Sequence, residues 1–182
     1  MAVKTDNDVI RVFLPLLNTA LNATAYAPVT IVQSYQPTQQ GVDSDPQVYF
    51  FKTGHRRYGF LKRFDQWNDI SQEMEHVESQ WIESQWQISA LLRQNPATPN
   101  QFTASDLVNE VAAILQSDTI RIALMNEGIG ILRIENVSNP YFVDDFENFE
   151  ASPSFTFTLT YQNSRVSTNP IVSEFNNKII GV

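Results

Sequence analysis

The histidines are the first place to look for chemistry in this sequence, and there are two, His55 and His76. Neither stands in a metal-binding spacing such as HExxH. No GxSxG, no phosphate-binding loop and no GxGxxG is present. Gly128-Ile129-Gly130 follows a helical pattern and not a strand, which makes it a turn and not a phosphate cradle. The chain has no cysteine. That removes disulfides, thiolate metal sites and thiol nucleophiles together, and leaves the redox compartment open. The expectation is therefore no catalytic residue, no metal and no cofactor.

Charge is concentrated where catalytic spacing is not. Lys52, Arg56, Arg57, Lys62 and Arg63, with His55 among them, place five of the chain's twelve Lys and Arg in twelve residues. Tyr58, Phe60 and Phe64 interleave with them. Such a cluster suits contact with DNA or an acidic partner. It also suits a solvated hairpin whose charges keep an exposed edge from aggregating. A second cluster has the opposite sign: Asp144, Asp145, Glu147 and Glu150, interleaved with Tyr141, Phe142, Phe146 and Phe149. Exposed aromatics in that number are costly on a monomer, so they either fold back over a sheet or dock on another subunit. The basic segment reads as a projecting hairpin. Its Arg56/Arg57 pair is expected to meet Asp144, Asp145 and Glu147 at a subunit or partner interface.

Composition bounds the rest. A chain of 182 residues with 42% hydrophobic and 12% aromatic residues is long enough and apolar enough for one packed domain. Net charge is −8, which does not suit coating nucleic acid by bulk charge. Charged residues make up only 18%, so polarity comes from Asn, Gln, Ser and Thr, as on a β-rich or protein-contacting surface. The N-terminal residues lack the pattern of a signal peptide, and no apolar run reaches the ~18–20 residues of a membrane span. One soluble, unprocessed domain is expected.

The elements follow from periodicity. Val9, Ile10, Phe13, Leu16, Leu17 and Leu21 share a helical face within residues 1–22, capped by Thr5 or Asp6, with Pro15 expected to kink or restart the helix. Residues 28–93 read as strands with long loops and the basic hairpin. Within them Val29–Val32 and Gln47–Lys52 are short strands, and Met74–Arg93 is a long half-buried one. ESQW occurs twice there, at Glu78–Trp81 and Glu83–Trp86. An odd offset of five turns the two tryptophans to opposite faces of an unbroken strand, so a bulge near Trp81 is expected to bring both inward. Residues 103–127 form a helix pair, the first capped by Thr103 or Ser105 with Leu107, Val108, Val111, Ile114 and Leu115 buried, the second ending at Gly128. Residues 129–161 give strands Ile129–Val137 and Ser154–Tyr161. In the latter Phe155, Phe157, Leu159 and Tyr161 face inward while Thr156, Thr158 and Thr160 face out. Residues 165–182 read as a C-terminal arm. The order predicts an α+β fold, a mostly antiparallel central sheet with helices on one face.

Several stretches together resemble a known family. VESQWIESQWQISAL, TASDLVNEVAAILQSD, GIGILRIENVSNPYFVDDFENFEASPSFTFTLTY and the upstream YFFKTGHRRYG are similar to the neck or tail terminator proteins of long-tailed bacteriophages, over roughly two-thirds of the chain. The resemblance implies a homohexameric ring that caps the tail tube and joins it to the head connector, with DNA passing through the lumen. It implies the tube protein, a head-completion or connector protein and, in contractile tails, the sheath as partners. It implies no membrane contact and no enzyme activity, and a place in the virion after assembly in the host cytoplasm. The alternative is a tail-associated carbohydrate- or host-binding β module, which the Leu107–Leu115 helix set among the strands disfavours.

Overall fold

The computed structural model describes residues 4–33, 46–92, 100–143, 149–151 and 153–169. Three helices and seven strands lie among them: α1 (Asp6–Asn22), β1 (Thr30–Gln33), β2 (Gln47–Asn68), β3 (Glu73–Leu91), α2 (Ala104–Gln116), α3 (Asp118–Asn126), β4 (Ile129–Ile131), β5 (Tyr141–Val143), β6 (Phe149–Ala151) and β7 (Ser154–Asn169). The main sheet has the order β1-β2-β3-β7-β4, and β5 and β6 form a separate ribbon. All main-sheet pairs are antiparallel except β1 with β2, which makes the sheet mixed. The fold is α+β.

Each long helix begins where the sequence supplies a reciprocal cap. The Thr5 hydroxyl accepts from the Asp8 N–H while the Asp8 carboxylate accepts from the Thr5 N–H, and Thr103 and Asp106 repeat the arrangement for α2. These bonds hold both carboxyls below the ordinary Asp value. The Thr5 hydroxyl and then its N–H act on Asp8; the Thr103 N–H and then its hydroxyl act on Asp106. A lowered carboxyl contributes stability above the unfolded value, about 3.9, and loses it as pH falls through the folded value. Asp106→Asn is therefore expected to remove part of the acid limb of unfolding below about pH 4. Melting curves from pH 6 to pH 2 check this, and curves for the variant and the parent that stay parallel throughout would contradict it. Thr103→Ala should cost about 1 kcal/mol at neutral pH.

α1 runs through Pro15 as one 17-residue helix and buries Val9, Phe13, Leu17 and Leu21. Neither a restart nor a second cap is needed, because a spacing of four keeps those side chains on one stripe. Phe13 is the joint between helices and sheet. Its ring stacks on Phe157 with centroids 5.3 Å apart and tilts against Phe50 at 6.1 Å. α2 buries Leu107, Val108, Val111, Ile114 and Leu115 against the same side of the sheet. α3 ends with Glu127 as its cap and Gly128 at φ +68°, the left-handed position glycine occupies without strain.

β7 carries the inward row as expected, with Phe155, Phe157, Leu159 and Tyr161 all buried. It runs eight residues past Tyr161, to Asn169, so the expected arm from residue 165 begins inside a strand. β4 is shorter than its β-branched sequence suggested: Leu132 still donates to the Thr158 carbonyl, and regular pairing then stops. Gly130 lies opposite Thr160, where an added Cβ would sit 2.5 Å from the Thr160 Oγ1. Gly130→Ala should cost about 1–3 kcal/mol by overpacking. Thr160→Ala removes the offending oxygen, so the double variant should recover most of that loss in denaturant titrations. Strictly additive losses would refute the clash.

The long loop expected between residues 36 and 46, most of the 95–100 turn, and the C-terminal segment from 170 lie wholly or largely outside the described residues.

Candidate assembly interface

The expected short strand and projecting basic hairpin are replaced by a single 22-residue strand, β2, paired with the 19-residue β3 through a turn at residues 69–72. The base of this hairpin belongs to the core. Its outer half, with the outer half of β7, leaves the body as a three-stranded blade. β1 pairs only with Gln47–Phe50, and β4 only with Tyr161–Leu159. From Lys52 outward β2, and from Gln162 outward β7, thus have no strand on their outer sides among the described residues. The basic cluster sits along one of these two open edges, where charge deters indiscriminate strand pairing.

Register decides where each charge points. β3 and β7 pair without a shift from Met74↔Asn169 to Ser89↔Ser154. The irregularities lie in β2: Thr53 is an extra residue, and Gly59, Phe60 and Leu61 together oppose Gln80. The bulge expected in β3 near Trp81 is thus in its neighbour. β3 alternates unbroken, and the two ESQW tryptophans face opposite ways: Trp86 is 2% exposed in the core and Trp81 is 50% exposed on the other face.

The cations separate accordingly. Lys52, opposite Trp86, is on the helix side and meets Asp6 of α1 at 2.6 Å. Arg56 faces away from the helices and pairs with Glu83, which raises its pKa above the ordinary arginine value. Arg57 points to the helix side, lining a shallow groove with Glu78, Gln80 and Arg165. Consecutive strand residues take opposite faces, so the Arg56/Arg57 pair cannot act as one unit. Arg63 Nε donates to Glu78 at 2.9 Å, and the Lys62 ammonium lies 4.9 Å from the centre of the Phe64 ring. Asp144, Asp145 and Glu147 lie outside the described residues. Among the described ones, Arg56 and Arg63 find their carboxylates on β3. The strands divide the charge: β2 holds five Lys and Arg against one Asp, and β3 four Glu with no Lys or Arg. These exposed pairs set register more than stability.

The apolar side of the sheet changes at one level. Towards the body, Phe50, Ile82, Trp86, Phe157 and Tyr161 face the helices. Beyond the row Tyr58–Trp81–Gln162, the opposite face carries the apolar row Phe64–Val77–Val166, while the helix-side face carries Arg63, Glu78 and His76 and is apolar again only near the tip, at Trp67 and Met74. Between these rows Lys62, Ser79 and Ser164 line up, and both serines are buried. Tyr58, Phe64, Trp81 and Val166 stay exposed around them, and none of the protein's described helices covers that face. The sequence signal for this was the adjacent pair Trp81-Ile82, where one apolar phase ends and the other starts. His76 lies on the helix-side face of the blade, its Nδ1 2.7 Å from an Asp65 carboxylate oxygen. Among the described residues no three His, Asp or Glu converge as metal ligands, and no helix is long and apolar enough to cross a membrane.

Among the described residues the architecture is three helices packed on the inner half of a sheet whose outer half extends beyond them as a blade. The comparison that decides the family is with a model described as the E217 gateway protein gp29, which matches residues 8–171. The chain belongs to that family. The match takes in both the helical body and the whole blade of this gateway-family protein. Among solved structures, the sheath/tube terminator of an extracellular contractile injection system, PVC, in its extended state, is similar with a TM-score of 0.55 and 14% identity. That likeness covers 100% of this chain and 66% of the neighbour, so the gateway-family chain spans just under two-thirds of that terminator's length. At such identity the likeness is one of fold. No match is found among curated proteins. The resemblance to phage tail terminators drawn from the sequence stands.

Proposed function

We propose that this protein is a structural component of a phage neck, a terminator that forms a homohexameric ring on the end of the tail tube and joins it to the head connector. The family match over residues 8–171 carries this reading. The terminator-like fold and the blade, whose Tyr58, Phe64, Trp81 and Val166 are exposed among the described residues, support it. Its partners are copies of itself, the tube protein, a connector or head-completion protein and, in a contractile tail, the sheath. DNA passes through the lumen and is not read. The protein works without catalysis or cofactor, in the virion, after assembly in the host cytoplasm. The basic strand serves assembly: Lys52, Arg56 and Arg63 are tied to carboxylates of the same chain, which leaves Arg57 and Lys62 as the cations offered outward among the described members of the cluster.

Negative-stain images of the purified protein, alone and mixed with isolated tail tubes, test this. Rings with a hole wide enough for duplex DNA, seated at tube ends, are expected. Protein that neither forms rings nor binds tube ends would overturn the reading.

A further inference from the structure

Charge changes sign along the blade. Where the blade leaves the body, its helix-side face carries Arg57, Arg63 and Arg165 against one carboxylate, Glu78, and Arg63 engages Glu78 at 2.9 Å. Arg57 and Arg165 have no carboxylate within 4 Å among the described residues. Both line the shallow groove of about 200 Å³, whose apolar lining is Leu61 and Ile82. Leu61 and its neighbour Phe60, in the bulge of β2, are exposed. Asn163, also on the groove, accepts from the Lys4 N–H just ahead of α1. The tip of the blade has the complementary make-up. Asp65, Asp69, Glu73 and Glu75 fall within residues 65–75, and no Lys or Arg occurs from 64 to 92. Asp65 engages His76, and Glu75 accepts from Gln66 and Asn68. Asp69 and Glu73 have no cation within 4 Å among the described residues. Between them in the turn, Ile70 is 97% exposed. The turn is held in shape: the Asn68 side-chain oxygen accepts from the Ile70 and Ser71 N–H groups, and the Gln72 N–H donates to the Asn68 carbonyl at 2.8 Å.

We propose that the tip of the blade, Asp69 and Ile70 with Glu73, docks in the Arg57–Arg165 groove of a second copy of this chain. Ile70 lies against Leu61 and Phe60, and the two carboxylates meet the two guanidiniums. Opposite charge on the two surfaces steers them together and fixes their register. The tip cannot reach its own groove. Glu73 and Gln80 are seven residues apart on one strand, about 23 Å at ~3.3 Å per residue, and β3 is held straight by its unshifted pairing with β7. Duplex DNA would meet the arginines and leave Phe60 and Leu61 bare, whereas the tip supplies charge and apolar surface together. Tip and groove are different surfaces of one chain, so the contact is head to tail, the kind that closes into rings. The inference rests on the ring reading and names the surfaces that would build it.

Two charge-reversed chains test this: Asp69→Lys with Glu73→Lys at the tip, and Arg57→Glu with Arg165→Glu in the groove. Association is followed by sedimentation over a concentration series in dilute salt, where exposed charges are least screened. Each variant alone should self-associate at least about tenfold more weakly than the parent, the tip variant with its melting temperature unchanged. Mixed in equal amounts they should assemble again, because every tip then faces a groove of opposite charge and a ring of even number closes with the two chains alternating. Cross-linking reads the same contact should the groove variant fail to fold, and the absence of native cysteine makes it direct. Ile70→Cys and Leu61→Cys chains, mixed and treated with a short bismaleimide, should give a dimer containing one of each, with neither cross-linking alone. Assembly of the tip variant like that of the parent, or assembly of the cysteine chains without the mixed cross-link, would overturn this contact and leave the ring reading standing. Ile70→Cys cross-linking to itself would replace it with a symmetric tip-to-tip pair. DNA binding that the groove variant loses while still assembling would turn the arginines to the lumen and overturn the contact likewise. No self-association at any concentration, alone or with tail tubes, would remove the ring reading and this contact with it.

Discussion

Trp86→Ala is expected to destabilise the fold by about 3–5 kcal/mol, while Trp81→Ala, in an identical ESQW tetrapeptide five residues earlier, leaves the isolated subunit within about 0.5 kcal/mol of the parent. Trp86 is buried, tilted against Phe50 with ring centroids 6.1 Å apart, and surrounded by the aromatic centre of the core. Its removal leaves a cavity that the stiff strands on either side cannot close. Trp81 is half exposed, on the face turned away from the described helices. Urea titrations of both variants check the contrast. If both cost the same, the strand does not alternate as described and the bulge belongs in β3 after all.

Phe13→Ala should remove a comparable ~3–5 kcal/mol, a large part of the ~5–15 kcal/mol that holds a typical domain together. Phe13 is the residue through which α1 grips the sheet, and its stacked partner Phe157 is equally buried. The two losses should not add. In a double-variant cycle with Phe157→Ala, a coupling of roughly 0.5–1.5 kcal/mol is expected from the stacked pair. Zero coupling would mean that the rings are neighbours without preference, and that α1 is held by its Leu17 and Leu21 contacts instead.

The sequence disclosed the elements whose patterns are local and lost those whose logic is not. The capping boxes at Thr5–Asp8 and Thr103–Asp106, the stripe of α2 and the inward row of β7 could be read because each depends on residues within one element. The length of β2 could not. From Gly54 to Asn68 it has neither a clean alternation nor a buried face, and what makes it a strand is the ladder supplied by β3. Thr53 adds an odd residue and reverses the phase, so the stretch reads as a separate basic hairpin and not as the continuation of one strand. The doubled ESQW held the right arithmetic. An odd offset does turn the tryptophans apart, and the expected bulge was invoked only because both were assumed to belong to one core. Of the candidate interface, the cations were found but not their arrangement. Arg56 and Arg57 are neighbours in sequence and on opposite sides in space, and the carboxylates that engage Arg56 and Arg63 come from the acidic partner strand.

The unshifted pairing of β3 with β7 bears on how the subunit behaves under mechanical load. Ladder hydrogen bonds run perpendicular to the strands, so a pull along the blade shears the whole set at once, whereas a pull across it would open them one after another. Sixteen residue pairs, from Met74↔Asn169 to Ser89↔Ser154, share that tension without a break. Both irregularities are confined to β2, at the border of the sheet, and the central seam is left to act as a tendon between the tip of the blade and the helices at its root.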